Sequence, residues 1–370
     1  MERKLLKGDN IELLKKLEDN SVDSVVTDPP YGLSFMNKKW DYDVPSVDFW
    51  KEVYRVLKPG GHILSFGGTR TYHRMVVNIE DAGFEIRDQI MWVYGSGFPK
   101  SLNIGKGIDK KLGNSEYEGW GTALKPANEP ICVARKPLSE KTIVENVLKW
   151  GTGGINIDGC RVGTNDNLIR PNVNGFNSES IYSNKNRNDS EKCGLYDNFG
   201  STEGRFPANL ILECICDEVI KGEKGEIKYT ELPNRSGWKN TSKIKSVINH
   251  NDKGDIHTNP NCPCRLLDEH SGESKSSGGK GIKSKGTLQN SPVYGSGWGS
   301  EYDSPSLGGY GDIGGSSRFF YQAKVSKKER NMGTDNNNHP TVKPINLLTY
   351  LVRLVTPPNG IVLDPFMGSG

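Results

Sequence analysis

The 370-residue chain is 34% hydrophobic, carries 44 glycines and has a net charge of +3, so it has apolar material for one large domain or two, diluted by long polar loops. No apolar stretch follows the opening Met1-Glu2-Arg3-Lys4, and no run approaches the ~20 apolar residues of a membrane span; this excludes a helical membrane protein and predicts a soluble, cytoplasmic one. Seven cysteines, an odd number scattered along a chain without a signal peptide, argue against a disulfide framework, and so small a charge implies only a mildly basic, solvated surface.

Helices and strands alternate through the first third. Asp9 and Glu12 can cap a short helix with Ile11, Leu14 and Leu17 on one side. Val22–Thr27 is an apolar run suited to a buried parallel strand, and it stops abruptly at Asp28-Pro29-Pro30-Tyr31. Phe49, Trp50, Val53, Tyr54 and Leu57 recur at helical spacing until Lys58-Pro59-Gly60-Gly61, a stop signal, after which His62–Phe66 is a strand. Tyr72, Val76 and Ile79 mark a helix closed by Gly83; Phe84–Tyr94 supplies one or two strands and Pro130–Arg135 another. Strands separated by helical stretches of ~10–15 residues predict a doubly wound α/β sheet.

From about Gly151 to residue 315, Gly, Asn, Ser and Lys dominate, with short apolar runs such as Ala208–Leu212 and a lysine-rich, acid-free loop at Ser274–Asn290. Order returns where Pro344 opens a helix lined by Leu347, Leu348, Leu351, Val352 and Val355, followed by a turn at Pro357-Pro358-Asn359-Gly360. Ile361–Leu363 is then a strand running into Asp364-Pro365-Phe366-Met367-Gly368-Ser369-Gly370. The sequence stops there, inside a strand–turn–helix unit, which predicts a C-terminal truncation.

Two segments carry chemistry. Asp28-Pro29-Pro30-Tyr31 lies beyond the carboxyl end of a strand, where ligands bind in open α/β sheets. Pro29 and Pro30 hold the chain extended, so the Pro29 carbonyl and the Asp28 carboxylate form two acceptors aimed at one amino group, and Tyr31 can stack on a ring bearing it. Two acceptors holding the hydrogens of an aromatic amine favour pyramidal nitrogen and free its lone pair for attack on a sulfonium methyl. A plain strand-to-loop turn accounts for the tetrapeptide about equally well. In the second segment, glycines after a strand let the backbone approach a ligand, Phe366 can pack on an adenosyl or methionine moiety, and Asp364 can pair with the methionine amino group. A lone Gly-x-Gly also occurs for backbone geometry alone.

Together, in this order, the two segments resemble the catalytic and cofactor motifs of amino-methylating DNA methyltransferases with the beta-type arrangement, found in bacteria and phages. Gly8-Asp9-Asn10, Leu57-Lys58-Pro59-Gly60-Gly61, His339-Pro340-Thr341-Val342-Lys343-Pro344, and the stretches Lys125–Lys136 and Ser317–Arg330 add to the resemblance. It implies a Rossmann-like methyltransferase sheet with a loop-rich inserted target-recognition region. Residues 1–150 are the catalytic half, 151–316 the insertion, and 317–370 the cofactor-binding half. It also implies S-adenosylmethionine as cofactor and double-stranded DNA as partner, without membrane association.

On that resemblance, Asp28 and the Pro29 carbonyl hold the target amine and Tyr31 stacks on a flipped base. Asp9 sits near the cofactor adenine, Thr341 and Lys343 near the methionine carboxylate, and Phe366, Gly368 and Gly370 line the cofactor pocket. Aspartate at position 28 leans towards adenine N6, because cytosine-N4 members more often carry serine there. Cytosine N4 and an inactive, truncated DNA-binding chain are the alternatives. A homodimer and a restriction endonuclease partner are compatible with the resemblance, and the sequence chooses neither.

Two cysteine pairs, Cys214-x-Cys216 and Cys262-Pro-Cys264, with His257 nearby, offer thiolates for a structural zinc, against the alternative of ordinary buried thiols. The lone Trp40, just after the catalytic loop, could line the base pocket, but such a tryptophan is more often core; His62 and His73 are read as packing residues rather than acids or bases.

Overall fold

The structure is a computed structural model that describes residues 3–33, 41–163 apart from 96, 98, 100, 114 and 115, 204–222, 254–275, 313–324 and 342–368, with the backbone of short strands at 170–171, 198–199, 228–231 and 245–249. In chain order its main elements are α1 (Asn10–Leu14), β1 (Val22–Thr27), α2 (Val47–Val56), β2 (Leu57–Phe66), α3 (Tyr72–Asp81), β3 (Glu85–Val93) and α4 (Ile104–Leu112). Then follow β4 (Asn128–Arg135), α5 (Ile143–Trp150), β5 (Leu210–Cys214), α6 (Pro263–Ser271), β6 (Tyr321–Lys324), α7 (Ile345–Val355) and β7 (Val362–Leu363).

The strands form one seven-stranded sheet in the order β6-β5-β3-β4-β2-β1-β7. β4 runs antiparallel to both its neighbours, and every other adjacent pair is parallel. The carboxyl ends of six strands therefore share one rim with the amino end of β4. Alternation along each strand sends side chains to opposite faces. Val25, Ile63, Cys132 and Ala134 pack with Phe49, Trp50 and Val53 of α2 and Met75 and Ile79 of α3. Val26, Leu64, Ile131 and Val133 pack on the other face with Leu347, Leu351 and Leu354 of α7. Helices cover both faces, so this is the expected doubly wound, Rossmann-like α/β sheet.

Local sequence explains most of the elements. Ser46 caps α2 by accepting from the Phe49 backbone, and the helix buries Phe49, Trp50, Val53 and Val56, roughly 1.5–3 kcal/mol for each large side chain. Trp50→Ala would remove a fully buried ring and cost about 3–5 kcal/mol. α5 begins at a capping box, Thr142 with Glu145, and ends at the left-handed Gly151. Sequence periodicity overlooked both α5 and α4.

Three further differences stand out. The helix stops at Val56, and Leu57, expected in it, begins β2; Lys58-Pro59-Gly60-Gly61 lies inside that strand instead of forming a separate turn, because Asn146 Nδ2 (2.8 Å) and Thr152 Oγ1 (2.6 Å) hold the Pro59 carbonyl while the β1 register slips past it. Gly60 has a φ of +81°, and a Cβ there would collide with the Asn146 amide, so only glycine fits. The run near Ala208–Leu212 is a strand of the main sheet: β5 pairs with β3, so the sheet draws a member from inside the segment 151–316. Pro344 caps α7 from outside rather than opening it. Of the two histidines read as packing residues, His62 is buried in β2 whereas His73 is exposed on α3. Trp40 and most of Ser274–Asn290 lie outside the described residues. No helix among the described residues is long and apolar enough to cross a membrane.

Candidate active site

Every residue of β1 is buried, and the chain leaves the sheet at Asp28. The loop beyond is fixed by its backbone. The Asp41 carboxylate, 2% exposed, accepts from the amides of Tyr31 (2.7 Å), Gly32 (3.0 Å) and Leu33 (3.2 Å). From the other side Thr71 Oγ1 donates to the Tyr31 carbonyl at 2.5 Å. Pro29 is buried between these restraints and Pro30 half-buried.

Four polar side chains converge under this loop. Lys343 Nζ donates to Asp28 Oδ2 at 2.7 Å and to the Tyr31 hydroxyl at 3.2 Å, and lies 3.1 Å from Glu129 Oε2. The Tyr31 hydroxyl is 2.7 Å from Asp28 Oδ1 and 2.8 Å from Glu129 Oε2. Glu129 reaches this rim because β4 runs antiparallel and starts there. Burial alone would depress the Lys343 ammonium, but the two carboxylates outweigh it and hold its pKa above the ordinary value. Burial, then the negative charges of Asp28 and Glu129, push the Tyr31 phenol well up, so it stays protonated. A phenol has one proton and can donate to one carboxylate at a time, while the ammonium spends its three protons on three partners. The quartet is thus one proton short of filling its contacts and carries a net charge of −1.

The second segment sits alongside. β7 pairs with β1, and Thr27 Oγ1 donates to Asp364 Oδ1 at 2.6 Å. Burial, opposed by the Thr27 and Phe366 hydrogen bonds and assisted by the charge of Asp28, raises the Asp364 pKa. Asn10 Nδ2 lies 3.5 Å from the Pro365 carbonyl, bringing the start of α1 to the turn. Gly368 has a φ of +66°, the left-handed region in which glycine is favoured.

The structure therefore brings together Asp28, Tyr31, Lys343 and Asp364. Lys343, expected at the methionine carboxylate end, places its ammonium on Asp28 and Glu129; a lysine this buried needs carboxylate partners. Tyr31, expected to stack on a base, turns its hydroxyl into the quartet. Phe366 leans on Phe49 with ring centroids 4.8 Å apart. Asp9 is exposed and caps α1 by accepting from the Glu12 amide at 3.1 Å. Thr341 and Gly370 lie outside the described residues. Glu129 and Asp41 escaped the sequence reading. An acid just before the apolar run Pro130–Arg135 was a signal for the first, and Asp41 offered none.

At the far end of the same rim, β5 ends in Cys214, where Cys216, Cys262 and His257 gather, all buried. His257, not Cys264, completes the mutually close set; the Cys264 thiol lies 3.6 Å from the Glu213 carbonyl.

An open, helix-covered sheet with a carboxylate–proline loop on one strand and a glycine turn on its neighbour defines a Rossmann-like enzyme of the methyltransferase class. The chain matches the DNA methylase family, the amino-methylating N6/N4 enzymes, over residues 22–370, and it belongs to that family. It is 25% identical over 195 residues to the type II methyltransferase M.HindIII of Haemophilus influenzae, covering 40% of this chain and 63% of that one. It is 34% identical over 113 residues to M.HpaI of Haemophilus parainfluenzae (27% and 35%) and 33% over 154 residues to M.BglII of Bacillus subtilis (37% and 41%). Each alignment thus spans less than two thirds of the relative. Among solved structures it is similar to M1.HpyAVI in complex with SAM (21% identity, TM-score 0.24, 36% of this chain and 54% of that one). It is also similar to the cytosine-N4-specific PvuII DNA methyltransferase (22%, TM-score 0.25, 37% and 51%).

Proposed function

We propose that the chain methylates the N6 amino group of adenine in double-stranded DNA, with S-adenosylmethionine as methyl donor. The observation that carries the reading is the adjacency of Asp28, in its proton-deficient quartet, to Asp364 on the neighbouring strand. The residues around the glycine turn suit the donor. Asp364 receives both its hydrogen bonds on Oδ1, leaving Oδ2 as the oxygen to meet a ligand ammonium, and the left-handed Gly368 lets backbone approach closely. Asp364, Phe366 and Gly368 would hold the donor, which supplies an electrophilic sulfonium methyl when bound.

Asp28 and the Pro29 carbonyl accept the two amine hydrogens and favour pyramidal nitrogen. The nitrogen that gains a methyl group must lose a proton, and the quartet is built to take one: protonation of a carboxylate fills the contact that the Tyr31 phenol leaves bare. Lys343 and Tyr31 hold Asp28 in place for this step, and Asp41 and Thr71 hold the loop. The base must leave the duplex to reach the site, which costs a few kcal/mol. Aspartate at position 28 supports adenine over cytosine, given the serine more often found in cytosine-N4 members. Within this reading residues 151–316, apart from β5, serve target recognition, and the thiol–imidazole cluster takes no part in methyl transfer.

The test is to express the protein in a methylation-free host and map modified bases by single-molecule sequencing. N6-methyladenine at one short sequence, absent with Asp28→Ala, is expected. N4-methylcytosine would overturn the base assignment, and unmodified DNA from a protein that still binds the donor would overturn the activity.

A further inference from the structure

We propose that Cys214, Cys216, His257 and Cys262 hold one zinc ion, and that this ion fastens the inserted region to the rim of the catalytic sheet. The proposal does not rest on the methyl-transfer reading. His257 Nδ1 lies 3.5 Å from Cys214 Sγ, 3.7 Å from Cys216 Sγ and 3.8 Å from Cys262 Sγ. Zinc bonds of about 2.0–2.1 Å to nitrogen and about 2.3 Å to sulfur at tetrahedral angles separate nitrogen from each sulfur by about 3.6 Å. The three distances observed bracket that edge. Hydrogen bonding does not explain the arrangement, because a ring nitrogen shares one hydrogen with one thiol at a time. The other ring nitrogen, Nε2, is buried without a partner among the described residues, so the ring is oriented from its Nδ1 side.

The scaffold around the four residues is compact. Cys214 ends β5, His257 ends a two-residue strand paired through Val219, and Cys262 caps α6. The Asn259 amide donates to Cys216 Sγ at 3.4 Å and holds that sulfur in place. All four residues are 3% exposed or less, so a closed structural site fits better than an open catalytic one. Binding displaces three thiol protons to solvent and leaves three thiolates and a neutral imidazole around the ion, a net charge of −1. Cys264 is beside the set and outside it.

The link to the sheet is direct. A Cβ on Gly95, just past β3, would stand 3.1 Å from the Asn261 carbonyl and 3.4 Å from Pro263, so the turn between His257 and α6 packs on that strand's exit. The Gly95 amide also donates to Glu213 on β5 at 3.1 Å. Asp268 of α6 accepts from the amide and the hydroxyl of Ser317, both at 2.7 Å, which carries the connection on towards β6.

Elemental analysis of the purified full chain should find about one zinc per molecule. Cys216→Ser and His257→Ala should lose it, and Cys264→Ser should retain it. Because the first two variants can misfold, cobalt substitution of the unaltered protein gives a second readout: thiolate-to-cobalt charge-transfer absorption with tetrahedral ligand-field bands is expected. Chelation should speed proteolysis of the segment between β5 and α6 before the rest of the sheet. A folded, metal-free chain with no cobalt spectrum, disulfides among these cysteines, or loss of zinc in Cys264→Ser would each overturn the assignment.

Discussion

Two buried polar clusters occupy one rim of the sheet, and they solve the problem of burial differently. In the quartet of Asp28, Tyr31, Glu129 and Lys343, two carboxylates surround an ammonium that is 5% exposed, so the buried cation is met by protein groups alone. The cluster at Cys214, Cys216, His257 and Cys262 contains soft ligands and no lysine or arginine, so the metal proposed for it is its natural counter-charge.

The comparison is most sharply tested by Asp28→Ala. Lys343 keeps Glu129 as a partner, so the change should leave thermal stability nearly intact while methyl transfer falls by about 10²–10⁴-fold or more. Equal losses of stability and rate would make the quartet a structural ion pair. Lys343→Met leaves two carboxylates without their cation and should destabilise the protein by about 3–5 kcal/mol, read as a lowered urea midpoint. An unchanged midpoint would mean the quartet is open to water.

His62 offers a third kind of burial, with neither carboxylate nor metal. Burial, then the charges of Arg135 and Arg87, lowers its pKa to about 4. The folded state therefore binds fewer protons than the unfolded chain between about pH 6.5 and 4. Stability from this group is complete above pH 6.5 and is lost as pH falls towards 4, by about 3 kcal/mol in all. Substituting His62→Gln should flatten that acid limb in chemical denaturation; an unaltered limb would show that His62 is not the group responsible. Smallest of all, Thr142→Ala removes the capping box of α5, far from either cluster, and should cost about 1 kcal/mol with methylation unaffected.

Much of this was legible in advance where physics is local. Val22–Thr27 is a strand with the boundaries its apolar run predicts, and the helix spacing from Phe49 and from Leu347 places both faces of the core. Asp28 and Asp364 could be paired because each directly follows such a strand. Glu129 left one local signal, an acid just before an apolar run, but nothing near it in sequence shows that β4 runs backwards and delivers its first residues to the carboxyl rim. β5 was hidden for a similar reason: a five-residue apolar run among glycines and asparagines looks like a loop until β3 pairs with it.

By itself the sequence determined the two chemical motifs, their order and the strands that carry them, because backbone preference and apolar periodicity act over a few residues. Only the tertiary structure decided that Lys343 balances Asp28 across 315 positions, and that His257 instead of Cys264 completes the mutually close set with Cys214, Cys216 and Cys262. Both outcomes follow from strand direction and pairing, which set how distant side chains meet, and no local pattern encodes that distance.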